Sequence, residues 1–256
     1  MSIQHAQSNV AEMFRPQLNS VDLNGTDEYF INNSNLDYGW GSTVSIAAWF
    51  KPDRVTGVTQ HIFATNEFGI GNEIQARVTD EDITVRVIED VGPTIIKDWV
   101  TTLDTIVIGA WQHVCVAWSS TNTLEIYIDG VNVADVNITK STDLTGSTIS
   151  VNRRMWIGTN NGGGNFDGRI HSVNMYSSLL DASNVAAIYN GGDGTHFDLN
   201  RNQGNYDEAG NLVHWWRLGH DTGVLGQDYA LNPVTAERNI GTNNLNSADV
   251  VVDSPT

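Results

Sequence analysis

The sequence predicts an all-β protein built on an antiparallel sandwich, with one short helix. Three observations lead there. Residues 111–118 (W-Q-H-V-C-V-A-W) alternate with apolar side chains on both faces. Trp111, His113, Cys115 and Ala117 point one way, and Gln112, Val114, Val116 and Trp118 the other, which predicts a central strand covered on both sides. Asp129-Gly130 lies between L-E-I-Y-I and V-N-V, a strong hairpin signal because both turn residues need positive φ. Residues 59–65, 72–78 and 83–89 read as three strands at regular spacing, the meander typical of a sandwich.

The elements follow in order. Residues 20–32 give two short strands around Asn24-Gly25, and 33–42 form a loop holding Tyr38 and Trp40. Residues 44–51 make a buried strand that Pro52 stops, since proline cannot donate to a ladder. Asp80, Glu81 and Asp82 read as a solvated loop, and residues 91–103 add a strand carrying Trp99. Leu124, Ile126 and Ile128 face the core opposite Glu125, Tyr127 and Asp129. Residues 135–152 are a long loop or two weak strands. A strand at 154–158, the run N-N-G-G-G-N at 160–165 and a long strand at 166–176 follow. The helix spans 182–189, capped by Asp181 or Ser183 and ended by Gly191 and Gly192. Residues 212–218 supply one more strand. The expected layout is an arm at 1–19, one sandwich at 20–219 and an extended tail at 220–256 that lies on the sandwich or reaches off it.

Several of these stretches carry a resemblance. W-Q-H-V followed by L-E-I-Y-I-D-G-V resembles the signature of laminin-G-like, concanavalin A-like jelly rolls. V-D-L-N-G-T-D-E-Y-F, V-S-I-A-A-W-F-K-P, M-W-I-G-T, F-D-G-R-I and L-D-A-S-N-V-A-A-I-Y-N-G-G agree with that family in its order. The resemblance implies a single antiparallel β-sandwich jelly roll, with the 212–218 strand near the N-terminal strand.

Composition limits what such a body does. The chain has 256 residues, a formal net charge of −17 and three lysines, Lys51, Lys97 and Lys140. A surface this acidic repels nucleic acid and anionic membrane. No apolar run approaches the roughly 18 residues of a membrane span. The single Cys115 allows no intrachain disulfide and reads as a small buried hydrophobe. The opening residues lack a basic leader and an apolar stretch, so no signal peptide is expected.

Candidate chemistry follows from the family. Its glucanase branch carries E-x-D-x-x-E on one strand, and this sequence has no such pattern, so no enzymatic activity is expected. Sugar binding would use Tyr38, Trp40 and Trp99 as aromatic platforms, while the other five strand tryptophans and Trp111 read as core. His113 reads as a satisfied interior histidine. Calcium is the ion that related sandwiches hold at one rim, and Asn160, Asn161, Asn165 and Asp167 could supply the oxygens. A glycine-rich turn explains the same residues without a metal. The closing run N-L-N-S-A-D-V-V-V-D-S-P also resembles the ends of laminin-G-like proteins encoded by marine bacteriophages. The expectation is therefore a virion protein, made in the host cytoplasm, decorating a capsid as a homo-oligomer. Its partners would be other capsid or virion proteins and host surface glycans. The alternative is a soluble lectin or adhesin, with calcium at the rim.

Overall fold

The computed structural model describes residues 16–32, 36–37, 43–66, 73–90, 94–102, 104–119, 123–141, 152–161, 163–231 and 239–256. Its strands are β1 (Ser20–Asn24), β2 (Tyr29–Ile31), β3 (Leu36–Asp37), β4 (Thr43–Pro52), β5 (Thr59–Asn66), β6 (Glu73–Thr79) and β7 (Asp82–Asp90). They continue with β8 (Thr94–Thr101), β9 (Gln112–Ser119), β10 (Thr123–Ile128), β11 (Val131–Asn132), β12 (Ile138–Lys140) and β13 (Asn152–Ile157). The last are β14 (Asp167–Tyr176), β15 (Leu212–Arg217), β16 (Gly241–Asn243) and β17 (Val250–Val251), and the one α-helix among the described residues, α1, is Ala182–Tyr189.

Every strand pairing is antiparallel, and the strands form two sheets. Sheet A runs β11-β10-β9-β4-β14-β1-β17, with β15 also on β14. Sheet B runs β12-β8-β7-β6-β5-β13-β2-β16, with β3 also on β13. This is the expected all-β sandwich. Strand β15 joins β14 at 172–176 while β1 joins it at 167–170, so β15 and β1 follow one another along the same edge.

The two-sided reading of β9 holds. Val114, Val116 and Trp118 enter the core between the sheets, with Ile46, Ala48 and Phe50 of β4 and Ile126 of β10. Cys115 and Ala117 enter a second apolar cluster on the outer face of sheet A, with Ala47, Tyr127, Tyr176, Leu180, Val185, Ile188 and Tyr206. Helix α1 and the chain after it therefore form a third layer. Trp111 lies one residue ahead of β9, half-buried, and donates from Nε1 to Asp253 at 3.0 Å.

Asp129 and Gly130 both take positive φ (49° and 77°), as the hairpin reading requires. Asp80 and Glu81 do the same (48° and 71°), so the stretch read as a loop is a tight two-residue turn between β6 and β7. Three backbone or side-chain bonds hold it: Gly57 N–H donates to Asp80 Oδ1 (3.0 Å), Asp80 N–H to Val55 O, and Ile106 N–H to Glu81 O. Asp181 caps α1 by accepting from Asn184 N–H at 2.8 Å. The helix spans 182–189 as expected, and Asn190 itself turns left-handed (φ 49°) to end it, ahead of Gly191 and Gly192.

The closing segment is built into the body. Strand β16 completes sheet B beside β2, and β17 completes sheet A beside β1. Beyond them Asp253 accepts from Lys51 Nζ (2.8 Å), Trp111 Nε1 and Arg169 Nη1, which ties the end of the chain across sheet A. The three donors hold the Asp253 carboxyl at about 2 against the opposing effect of burial.

Candidate functional site

The registers gather one set of loops at a single rim. Asn24 faces Asp167, Gly168 faces Pro52, Phe50 faces Gln112 and Ile128 faces Val114, so the ends of β1, β4 and β10 meet the starts of β9 and β14. Gln60, fully buried at the start of β5, links the rim internally. Its Nε2 donates to Arg54 O at 2.5 Å and its Oε1 accepts from Asp167 N–H at 2.8 Å.

Between these loops and the closing segment lies an open groove of about 270 Å³. Asp22, Glu28, Asp53, Asp167 and Asp249 line it together with Asn24. Desolvation raises the Asp22 carboxyl; Arg169 opposes this, and the charges of Asp53, Asp167 and Asp249 reinforce it. Glu28 is raised by desolvation too, against the Asn24 N–H it accepts at 2.9 Å. Two arginines answer these charges: Arg54 Nε is 3.0 Å from Asp167 Oδ2, and Arg169 Nε is 3.6 Å from Asp22 Oδ1. The result is an oxygen-rich groove whose charge is only partly neutralised.

The residues singled out by sequence are scattered by this geometry. Tyr38 and Trp40 lie outside the described residues. Trp99 belongs to the core between the sheets, 5% exposed, with Lys140 Nζ 4.1 Å from its ring centroid. A sugar platform needs an open ring face, and Trp99 does not offer one. His113 is interior but not satisfied: neither ring nitrogen has a hydrogen-bond partner, and burial holds the ring down at about 3. It rests between Trp49 (5.0 Å) and Tyr189 (6.2 Å).

The four proposed calcium ligands do not converge as a cage. Asn160 and Gly163 exchange backbone hydrogen bonds at 3.0 Å, and Asn161 turns left-handed (φ 51°) on the exposed side. Asn165 Oδ1 accepts from Thr159 Oγ1 at 2.5 Å while its Nδ2 donates to Thr26 O. Asp167 pairs with Arg54. Among the described residues, no group of three or more His, Cys, Asp or Glu side chains is placed to hold a metal ion. Calcium, with its need for six to eight oxygens, does not fit these residues. Of the groove acids, the sequence reading singles out Asp167 alone; it misses Asp22, Glu28, Asp53 and Asp249, although K-P-D-R at the end of β4 and the D-x-N alternation in β1 mark two of the walls.

A lectin-type sandwich is the class that this body and rim define. A family profile described as the concanavalin A-like lectin/glucanases superfamily, of the laminin G type, matches residues 23–186. The chain belongs to that superfamily. A search of curated proteins finds no match. Among solved structures, the chain is similar to a heptameric SAP-like pentraxin from Limulus polyphemus, at 16% identity and a TM-score of 0.49, over 68% of this chain and 82% of that one. It is also similar to the CBM40 of Ruminococcus gnavus IT-sialidase bound to α2,3-sialyllactose, at 12% identity and 0.47, over 68% and 98%. Domains LG4–5 of the mouse laminin α1 chain align at 11% identity and 0.43, over 64% of this chain and 44% of that fragment. These are likenesses of overall shape. No helix among the described residues is long and apolar enough to cross a membrane.

Proposed function

We propose that this chain is a non-catalytic carbohydrate-binding protein that takes its ligand at the acidic rim groove. One observation carries the reading: the superfamily match at 23–186 spans β4, β9 and β14, the strands whose ends build that rim. Carboxylate oxygens at Asp53 and Asp249 suit sugar hydroxyls, which donate to them, whereas Asn24 Oδ1 already accepts from Thr26 N–H and Asp27 N–H and shapes the turn. The charge of −17 disfavours anionic glycans, so neutral or amine-bearing sugars are the expected class.

A glycan array with the full chain tests this. Binding to neutral glycans should fall about tenfold in Asp53→Ala, corresponding to one lost charged hydrogen bond. Thermal midpoints close to wild type would show that the fold is kept. Turnover of laminarin or chitin would replace the reading with a hydrolase. A silent array would sink it. Capsid decoration rests on the phage-like closing run alone. That run lies in β17 and the Asp253 tie, so the second reading draws on sequence likeness without a structural observation of its own.

A further inference from the structure

We infer that Arg54 supplies, as a fixed guanidinium, the positive charge that a divalent ion would bring to this rim, making the site independent of calcium. Five features of the geometry converge on this. Asp167 is the one carboxylate in the 160–167 segment, and Arg54 Nε lies 3.0 Å from it. The pair is set from behind: buried Gln60 holds the Arg54 carbonyl and the Asp167 amide through one carboxamide, so the two side chains leave neighbouring, fixed backbone points. Asp53 N–H also donates to Asp167 O at 2.9 Å, engaging the backbone carbonyl a metal would use.

The β1–β2 turn also packs against the pair from one side. Gly25 adopts φ +69°, and a Cβ there would stand 2.8 Å from Asp167 Cβ and 3.0 Å from Arg54 Nη2. Only glycine lets the β1–β2 turn press this close. The neighbouring amide, Asn165, has both ends committed to Thr159 and Thr26. An incoming ion would have to displace a guanidinium and break those bonds before reaching six oxygens.

The pair is partly exposed, so it contributes little to stability and its removal leaves the fold intact. That makes Arg54→Gln a clean test. Removing the cation leaves Asp167 facing Asp22 and Asp53 with one fewer positive charge.

Calcium titrations by calorimetry and thermal unfolding, with calcium chloride or excess chelator, decide the matter on the full chain. Wild type should give no binding heat and the same midpoint in both conditions. Arg54→Gln should give a calcium-binding heat where wild type gives none, from the lost charge repulsion at contact distance. Its midpoint should rise with calcium and fall back with chelator. Arg54→Lys, which keeps the charge, should stay close to wild type, and adding Asp167→Asn to Arg54→Gln should cancel the gain. A wild-type midpoint that follows calcium overturns the inference, as does an Arg54→Gln protein as indifferent as wild type. Because the probe is calcium and not a sugar, this result stands apart from the glycan reading.

Discussion

Sheet A and sheet B solve the problem of an outer face in opposite ways. The outer face of sheet A is apolar, and the chain spends residues 177–231 largely on covering it, with Leu180, Val185 and Ile188 under α1 and Tyr206 beyond. The outer face of sheet B is polar and answers its own charges. Gln75 and Arg77 alternate with Ile74, Ala76 and Val78 on β6, and Thr84 and Arg86 alternate with Ile83, Val85 and Val87 on β7. Asp98 on β8 accepts from Arg86 Nε (2.7 Å) and Nη2 (2.8 Å) and from Arg77 Nη2 (3.3 Å). Sheet A is thus packed in apolar layers on both sides, while sheet B has an apolar layer on one side and a face of hydrogen-bonded polar side chains, several of them buried, on the other. Sheet A cannot offer a binding surface where its third layer sits, which leaves the shared rim as the place where loops from both sheets are open.

The comparison breaks first at the third layer. Leu180→Ala on the outer face of sheet A and Ile126→Ala in the core between the sheets, both fully buried, should each cost about 2–5 kcal/mol in urea denaturation. The values should be similar, because both sites are closed apolar packing. A Leu180→Ala cost under about 1 kcal/mol would mean that the third layer is a loose cover and that sheet A, like sheet B, is effectively one-sided.

Much of this contrast is legible in the sequence, and the reason is periodicity. In β9 the run from Val114 to Trp118 is apolar at every position, and that run alone announces a strand with cores on both sides; β6 and β7 alternate and announce one. The Asp129-Gly130 turn and the Asp181 cap are legible because each needs a residue type that stands out. Asp80-Glu81 is not, since it makes the same left-handed turn without glycine, and the bonds that hold it come from Gly57, Val55 and Ile106. The groove is hidden for a related reason. Its acids come from positions 22, 28, 53, 167 and 249, and the β1–β14, β4–β14 and β1–β17 pairings bring them together. Alternation tells which face a residue takes, not which strand will lie beside it. Neighbourhood along the chain misled instead: Asn160, Asn161 and Asn165 sit close in sequence but serve a turn.

Acid sharpens the comparison, since both outer faces hold histidines that burial keeps neutral. His113 and His171 on sheet A are held at about 3, and His61 on sheet B at about 4. Each lies below the ordinary histidine value, so the unfolded chain takes the proton first. Stability should fall as pH descends through about 6.5, and the loss from each group should level off near its folded value. Asp22 and Glu28, raised at the rim, work the other way and gain as pH falls, but they are more exposed. Urea midpoints across this range should show a net loss. His113→Leu, which removes a ring without hydrogen-bond partners, should take away more of that loss than His61→Gln. Equal effects would place the two outer faces on the same electrostatic footing and erase the distinction.

The smallest effects come from single carboxylates, one on each sheet. Asp253 ties the closing segment across sheet A with three donors, two of them cationic, and its side chain is 23% exposed. Asp98 on sheet B also meets two cations and is 27% exposed, but its arginines come from strands already paired to β8 or one strand away. Asp253→Asn should cost about 1–2 kcal/mol, because a charge-assisted anchor is lost where few backbone bonds replace it. Asp98→Asn should cost under about 1 kcal/mol, since the sheet ladder holds its partners in place regardless. With Asp253 held at about 2, the Asp253 contribution is present above the ordinary aspartate value and disappears only as pH falls through about 2. The difference between the two variants in urea at neutral pH should therefore close in strong acid. If Asp98→Asn proves the costlier change, the polar face of sheet B is holding that sheet together, and the third layer on sheet A is not the more demanding of the two covers.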